Sequence, residues 1–489
     1  MNVQKFDVIV IGSGYGGLGA ALHLAEKGVS VALFEKLKYA GGCASTFQKD
    51  SFRFETGATL FSGFHDRGLF TNWIQKHQLN VQFETLDPII DFRSQDWNIL
   101  LSPNRDVTIN RFCSLPDAPA QKIQRFFAYQ QSIADTLWPI FEAASRLPSF
   151  QLSSLSWHLG RFWKYPKLFP VMNRSLFSLL QSFQLDRFQP LIEYCNALTQ
   201  ITIQCSIYDA EALFALSAMD YLFRGTGHIY GGIGELSSAM TEAIQSCGGT
   251  VFMSNAIKKL EWKQGYWLVY SRKGSYQASK IIANLLPQDI AALVSDAPQP
   301  PQIQAYKESL SKGWGAGMLY LVLKDSDELP ASGHHYQCIS NQQNQLLEGN
   351  HIFCSLSSRK ENNKAPSGYR TATVSTHIPM SQYLSTENKA FYIQQVQENM
   401  RQTIKKRLPE IHAQIIRDYP ASPRTYQRFT NRSNGFVGGI PRTVGWHNYQ
   451  NIFPTALYPN LWMTGDSNFP GQSTLATAIG GVRIAQMIS

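Results

Sequence analysis

At 489 residues, 44% hydrophobic and 16% charged, the chain is longer than one hydrophobic core normally grows, so two or three domains with ample cores are expected and disorder is excluded. The formal charge of +9 comes from scattered bases with no block of five like charges, which argues against a nucleic-acid-binding tail and leaves solvated surface or contact with an anionic membrane. Seven widely spaced cysteines without a C-x-x-C pair imply neither a disulfide framework nor a zinc site; with no run of 18 apolar residues and no signal-peptide core, a reduced, cytoplasmic chain is expected.

The first predicted element is the apolar, β-branched run Asp7 to Ile11, which reads as a strand buried on both faces of a parallel sheet. Gly12, Gly14 and Gly17 follow in G-x-G-x-x-G spacing. A helical recurrence through Leu18, Ala21, Leu22, Leu24 and Ala25 comes next and ends at Gly28, a C-cap. A second strand, "VSVALFE", closes on Glu35 with Lys36 beside it. Strand, triplet, helix, strand and acid in register predict a dinucleotide site. Gly12 permits the tight turn, Gly14 lets a pyrophosphate approach the backbone, Gly17 lets helix and sheet pack, and Glu35 accepts from the adenosine ribose.

A polar stretch follows, with a second glycine pair, Gly41-Gly42, and then "FRFETGATL", whose Gly57-Ala58 suits close passage along a flat ring. An NAD domain would proceed here to a third strand and helix. The motifs "GSGYGGL", "FEK", "GGCASTF" and "FRFETGATL" together resemble the CrtI-type phytoene desaturase and carotenoid isomerase family of FAD-dependent oxidoreductases, including its carotenoid 3,4-desaturase-like and prolycopene isomerase-like members. The resemblance implies that Gly41 and Gly42 line the FAD pyrophosphate and that Gly57 and Ala58 lie at the isoalloxazine. Glu55 stands where many members carry Asp, and Cys43 where many carry Arg.

Residues 119 to 225 read as a helical lid or membrane-contact part. Within it, Arg146 to Leu185 holds no acid, five bases (Arg146, Arg161, Lys164, Lys167, Arg174) and eight aromatics, a composition suited to a lipid headgroup interface. The alternative is a lid whose aromatics pack into the core. Tyr230 to Leu260 reads as glycine loop, helix and strand, and the resemblance puts the Ile257 backbone at the adenine. Ala278 to Pro287 reads as the return strand. Three strands, Gly313 to Lys324, Asn350 to Ser358 and Tyr369 to Ile378, predict an antiparallel sheet with helices beside it. "APSGYRTATVSTH" and "GFVGGIPRTVGW" also resemble the carotenoid-processing branch. His228, His334, His335 and His377 fit no metal spacing, and no metal is expected.

The last piece, Asn460 to Ser489, reads as strand, Gly465-Asp466, a Pro470-Gly471 turn and a helix from about Ser473. Asp466 suits ribityl hydroxyls, and the helix N-terminus suits the pyrimidine edge of a flavin. Gly465, Asp466, Gly471 and Thr474 match the family's closing motif.

The expected architecture is α/β. A discontinuous Rossmann-type FAD-binding domain (1–75, 226–292, 455–489) interleaves with an α+β substrate domain (76–118, 293–454) that has a mixed or antiparallel sheet. Residues 119–225 form the helical part. The resemblance implies an FAD-dependent oxidoreductase acting on an apolar polyene or isoprenoid, by desaturation through hydride transfer to flavin N5 or by flavin-dependent cis/trans isomerisation. Alternatives on the same fold are an amine oxidase, a retinoid saturase-like polyene reductase and a non-enzymatic isoprenoid-binding protein. Peripheral membrane association through about residues 146–185 and no nucleic-acid partner are expected; catalytic residues and oligomeric state are not readable.

Overall fold

Residues with no polar partner on either side of the chain go to the centre of a sheet. In the computed structural model, which describes residues 3–66, 68–143, 152–294, 296–450, 452 and 454–489, the central strand is Gln4–Ile11, with Val8 to Ile11 buried. It pairs in parallel with Val31–Phe34 on one side and Ser275–Ala283 on the other, with registers Val8↔Val31 and Val8↔Lys280. In spatial order the strands are Ile257–Lys263, Tyr266–Ser271, Ser275–Ala283, Gln4–Ile11, Val31–Phe34 and Thr250–Phe252. The long return strand Ser275–Ala283 pairs with Tyr266–Ser271 over its first half, and Leu461–Met463 adds in parallel to its last residues, Ile281↔Leu461 to Ala283↔Met463. Pieces far apart in the chain therefore end at one edge of one sheet.

Helix Tyr15–Glu26 covers one face of that sheet and packs closely on the C-terminal helix Thr474–Ile488. The contact is made backbone to backbone: a Cβ on Gly481 would lie 1.9 Å from the Gly16 carbonyl oxygen, and one on Gly19 2.8 Å from that of Ala478. Helix Gly234–Ser246 completes this layer.

The second sheet runs in the order Ile415–Ala421, Trp314–Lys324, Tyr369–Pro379, His351–Leu356, His334–Ile339, Ile90–Arg93 and Asn98–Leu101. Its pairs are antiparallel except His334–Ile339 with Ile90–Arg93, so the sheet is mixed. Helix Lys389–Arg407 packs against it, as the expected neighbour of that sheet. Residues 120–142, 152–159, 176–182, 189–202 and 212–220 are helical, and Phe162–Val171 is a run of tight 3-10 turns containing Pro166 and Pro170. Arg146, one of the bases read as interfacial, lies outside the described residues.

Several elements go beyond the sequence expectations: Ile90–Arg93, Asn98–Leu101, His334–Ile339 and Ile415–Ala421 add four strands to the three expected in the second sheet. The polar stretch after Gly42 holds a two-stranded hairpin, Thr46–Lys49 with Phe52–Glu55. Its polar composition hides it, because Phe47 and Phe54 supply the apolar side against Tyr320 while Asp50 takes the left-handed turn (φ 53°). Among the described residues no helix is long and apolar enough to cross a membrane.

The Gly16–Gly481 contact predicts a graded response. Gly481→Ala drives a methyl into backbone and is expected to cost about 2–3 kcal/mol in urea unfolding, in the range of an overpacked core. Gly480→Ala, whose Cβ would lie 3.1 Å from the Phe469 carbonyl oxygen, is expected to cost distinctly less.

Candidate functional site

A cavity of about 680 Å³ opens where the two sheets and the helical part meet. Its walls include Gly12, Gly14, Glu35, Lys36, Gly41, Gly42, Gly57, Ala58, Ile257, Gly465, Asp466, Gly471, Ser473 and Thr474, every site residue read from the sequence except Gly17. Gly17 stands behind the turn, where a Cβ would lie 2.0 Å from the Gly12 carbonyl oxygen; it serves the packing of helix on strand and does not line the cavity.

The wall at the first helix is built from absent side chains. Gly12 has φ 91°, a conformation costly for any residue with a Cβ. A Cβ on Gly14 would come within 2.6 Å of Asn284 Nδ2, and on Gly16 or Gly465 within 2.9 or 2.7 Å of Asn284 Oδ1. Asn284, at the end of the return strand, is thus the plug around which the glycines close, and its Nδ2 donates weakly to the Gly12 carbonyl at 3.4 Å. The Gly41-Gly42 loop locks onto the same turn: Gly41 N–H donates to the Ser13 carbonyl at 2.9 Å, and a Cβ on Gly42 would lie 3.5 Å from Gly14 Cα.

Glu35 is buried at the end of its strand. Its Oε2 accepts from Ser13 N–H (2.9 Å) and Ser13 Oγ (2.6 Å), and its Oε1 from Leu37 N–H (2.8 Å). Of about four lone-pair positions on a carboxylate these bonds take three, and Glu35 lines the cavity. Lys36 also lines the wall, but its Nζ turns to the Arg428 carbonyl (2.7 Å) and Asn431 Oδ1 (3.3 Å). Near Ile257 the strand register slips before Lys259, a bulge beside the cavity.

At the opposite wall, Gly57-Ala58 is anchored from behind. The Thr56 carbonyl accepts from Tyr320 Oη (2.8 Å) and Tyr426 Oη (2.7 Å), and Ala58 N–H donates to the Cys43 carbonyl (3.2 Å). Glu55 Oε2 accepts from Thr46 Oγ1 and Ile233 N–H, while its Oε1 meets Lys364 Nζ at 2.5 Å. Lys364 is buried, and the carboxylates of Glu55 and Glu361 raise its pKa against the burial that opposes its charge. Glu361, pushed down to about 2 by Lys364 and His228 against its own burial, accepts in turn from His228 Nε2 at 2.8 Å. His228 therefore belongs to a buried ionic chain, and His335 bonds Ser355 Oγ. His377 lines the cavity as a neutral imidazole, its pKa lowered to about 4 by burial.

The C-terminal piece supplies the third wall. Asp466 is held by Arg432, Nη2 to Oδ2 at 2.9 Å, and burial raises its carboxyl pKa against that cation. Ser473 caps the last helix, its Oγ accepting from Ala476 N–H at 3.0 Å, and Thr474 Oγ1 lies 3.4 Å from Tyr221 Oη. The hydroxyls of Thr464 and Ser467 are buried without a partner among the described residues. Much of the remaining wall is apolar, with Trp138, Phe141, Leu198, Ile201, Phe214, Met318 and Ile440, and polar side chains including Gln204, Gln337, His377 and Arg442 interrupt it. Among the described residues no cluster of His, Cys, Asp and Glu has metal-site geometry.

Sequence reasoning missed Asn284, Arg432, Arg442 and Lys364. Asn284 carried a faint signal as the Asn of Asn-x-x-Pro after a return strand. Arg442 lies within "GFVGGIPRTVGW", a stretch whose resemblance gave its arginine no role, and Arg432 and Lys364 are basic residues in segments without a recognisable pattern.

Residues 10–76 match the model of the NAD(P)-binding Rossmann-like domain. Along its whole length the chain is similar to prolycopene isomerase 2, chloroplastic, of an Oncidium hybrid cultivar, with 24% identity over 507 residues covering 84% of that protein. It is 23% identical to the 4,4'-diapophytoene desaturase (4,4'-diapolycopene-forming) of a Methylomonas species, over 99% of this chain and 95% of the relative. An oxidoreductase from Methanosarcina mazei shares the fold, with a TM-score of 0.66 at 15% identity over 99% of this chain and all of that one.

The buried Glu55–Lys364 pair generates a stability prediction. Lys364→Met leaves Glu55 charged and buried and is expected to cost about 3–5 kcal/mol in denaturant unfolding. Adding Glu55→Gln is expected to restore part of that loss, because the stranded charge goes with it.

Proposed function

We propose that this chain, similar along its whole length to prolycopene isomerases and a diapophytoene desaturase, is an FAD-dependent oxidoreductase that acts on an apolar polyene or isoprenoid of the carotenoid type. The observation that carries the cofactor is the glycine cradle closed around Asn284, with one vacant lone-pair position on Glu35 and orphaned hydroxyls on Thr464 and Ser467. Such a surface fits a long, hydroxyl-bearing dinucleotide.

In this reading the Gly12–Gly14 turn, Gly41 and Gly42 would hold the pyrophosphate, Glu35 the adenosine ribose and the Ile257 backbone the adenine. Asp466 would take ribityl hydroxyls. Arg432, already fixed by Asp466 and the Phe436 carbonyl, would bring positive charge to the neighbourhood of Cys43. Gly57 and Ala58, with the Gly471 to Thr474 turn, would flank the ring. FAD bound there supplies two-electron chemistry.

The chain's own part is to orient and dry the substrate. Trp138, Phe141, Phe214 and Met318 offer van der Waals walls to a polyene and exclude water. The amides opening helix Thr474–Ile488 bring partial positive charge to the wall at Thr474. Gly57 and Ala58 present nothing larger than one methyl to a flat face, and their position is held by Tyr320, Tyr426 and the Glu55–Lys364 pair. Desaturation and cis/trans isomerisation both use this arrangement.

A lipid-soluble substrate needs an entry. Leu155, Leu159, Phe162, Trp163 and Phe169 are exposed, the last three at 63, 59 and 68%. Lys164 and Lys167 lie among them, and residues 152–171 contain no acid. Exposed apolar bodies with interleaved cations fit an anionic lipid surface and disfavour the alternative of aromatics packed into the core. The patch sits on helix Ala120–Glu142 through Lys167 Nζ and Ser132 Oγ (3.0 Å), and the far end of that helix lines the cavity with Trp138 and Phe141. We infer peripheral membrane association through this segment.

Two measurements test the reading. Titration of the apoprotein with FAD, followed by flavin fluorescence quenching, is expected to show saturable binding. Glu35→Gln should weaken it about tenfold, the loss of one hydrogen bond to a charged acceptor, and Gly14→Val should abolish it; absence of binding by the wild type refutes the cofactor. On anionic liposomes the protein is expected to float with the vesicles, and Phe162→Ser with Trp163→Ser and Phe169→Ser to weaken binding at least about tenfold; equal behaviour of variant and wild type refutes the membrane contact.

A further inference from the structure

The apolar end of the cavity contains a cation. Arg442 is 4% exposed, lines the cavity, and is placed by its own backbone, whose N–H donates to the Ile203 carbonyl at 3.0 Å and whose carbonyl accepts from Glu211 N–H at 2.9 Å. Its guanidinium spends one bond on the Asn468 carbonyl, from Nη2 at 3.1 Å, and rests over the Phe214 ring at 5.2 Å. Nε is buried with no acceptor, and among the described residues no carboxylate lies within ion-pair distance. The other arginine on the wall, Arg432, has Asp466. Gly471 leaves the approach open, for a Cβ there would meet Nε and Nη2 at 3.5 Å.

A guanidinium taken out of water without a counter-charge is expensive, and its remaining donors form a planar fork matched to a carboxylate. Burial lowers its pKa to about 10, opposed only by Tyr306, so the group is still charged near neutral pH. A hydrocarbon chain offers this cation a π face and nothing more. An oxygen at the end of the chain offers acceptors, and a carboxylate satisfies both the fork and the charge.

We propose that Arg442 is a specificity-determining residue that takes the oxygen-bearing end of the polyene, a carboxylate best of all, beside the Gly471 to Thr474 turn. The substrate class is then a polar-ended, acidic polyene. This rests on the polyene reading above and narrows it: the long apolar walls hold the chain, and the fork selects its end.

The test uses the FAD-loaded protein with all-trans-retinoic acid and its methyl ester as probes, binding being read from quenching of protein fluorescence. The acid is expected to bind about tenfold or more tighter than the ester, the margin of a charge-assisted hydrogen-bonded pair. Arg442→Met is expected to abolish that preference while leaving ester affinity within about twofold, and Arg442→Lys to keep part of it. Equal binding of acid and ester by the wild type overturns the proposal, and so does an Arg442→Met variant that keeps the preference. If Arg442→Met shifts the flavin absorption of the ligand-free protein and leaves the preference intact, the guanidinium serves the cofactor and the proposal fails. Should Arg442→Met not fold, the acid-to-ester ratio of the wild type and of Arg442→Lys decides. A protein that takes up no FAD refutes the cofactor reading alone, because the acid-to-ester ratio is still measurable on it.

Discussion

Everything at the site depends on the close approach of backbone to backbone around Asn284. Gly12, Gly14, Gly16 and Gly465 each lack the Cβ that would collide with it. The first turn, the return strand and the C-terminal Gly-Asp piece are distant in the chain and meet only because none of the four carries a side chain. The parallel sheet brings them to one edge, and the Gly16–Gly481 contact clamps the last helix onto the first. A groove walled by backbone without side chains results, at the N-terminus of helix Tyr15–Glu26.

Around this cradle the protein spends charge in the interior in a consistent way. Glu55, Lys364, Glu361 and His228 form a continuous buried chain behind the Gly57-Ala58 wall, and Asp466 and Arg432 form an ion pair on the C-terminal wall itself. Buried pairs contribute little net stability, but they fix geometry because neither partner tolerates separation. Both walls flanking the proposed ring position are thus held by ionic contacts. Arg442 departs from the pattern, with a carbonyl and an aromatic face where the others have carboxylates.

Much of the parallel-sheet half was legible in the sequence because its physics is local. Gly12-x-Gly14-x-x-Gly17, Glu35 at a strand end and Gly465-Asp466 before a capped helix each announce themselves by spacing and periodicity. Three strands of the second sheet were legible for the same reason, through alternation in Tyr369–Pro379 and apolar continuity in Trp314–Lys324 and His351–Leu356, whereas Ile90–Arg93, Asn98–Leu101, His334–Ile339 and Ile415–Ala421 were not read. What was not legible depends on chain-distant partners. Lys364 lies 309 residues from Glu55, and nothing in "ENNKAPSG" marks its burial. Arg432 and Arg442 look like surface bases until the fold surrounds them. The Thr46–Glu55 hairpin was hidden by polar residues whose two phenylalanines pack against Tyr320 from the other sheet.

In the proposed reading the glycine cradle and the largely apolar cavity are one active site for a flavin and a polyene. The measurement that tests it most directly is anaerobic incubation of the FAD-loaded protein with a lycopene-type polyene in liposomes, with the polyene's absorption spectrum and isomer composition followed over time. The account predicts a change confined to the loaded protein, either lengthened conjugation as the flavin bleaches or a shifted cis/trans composition with the flavin reduced beforehand. An unchanged polyene in both redox states, with FAD bound, would contradict it.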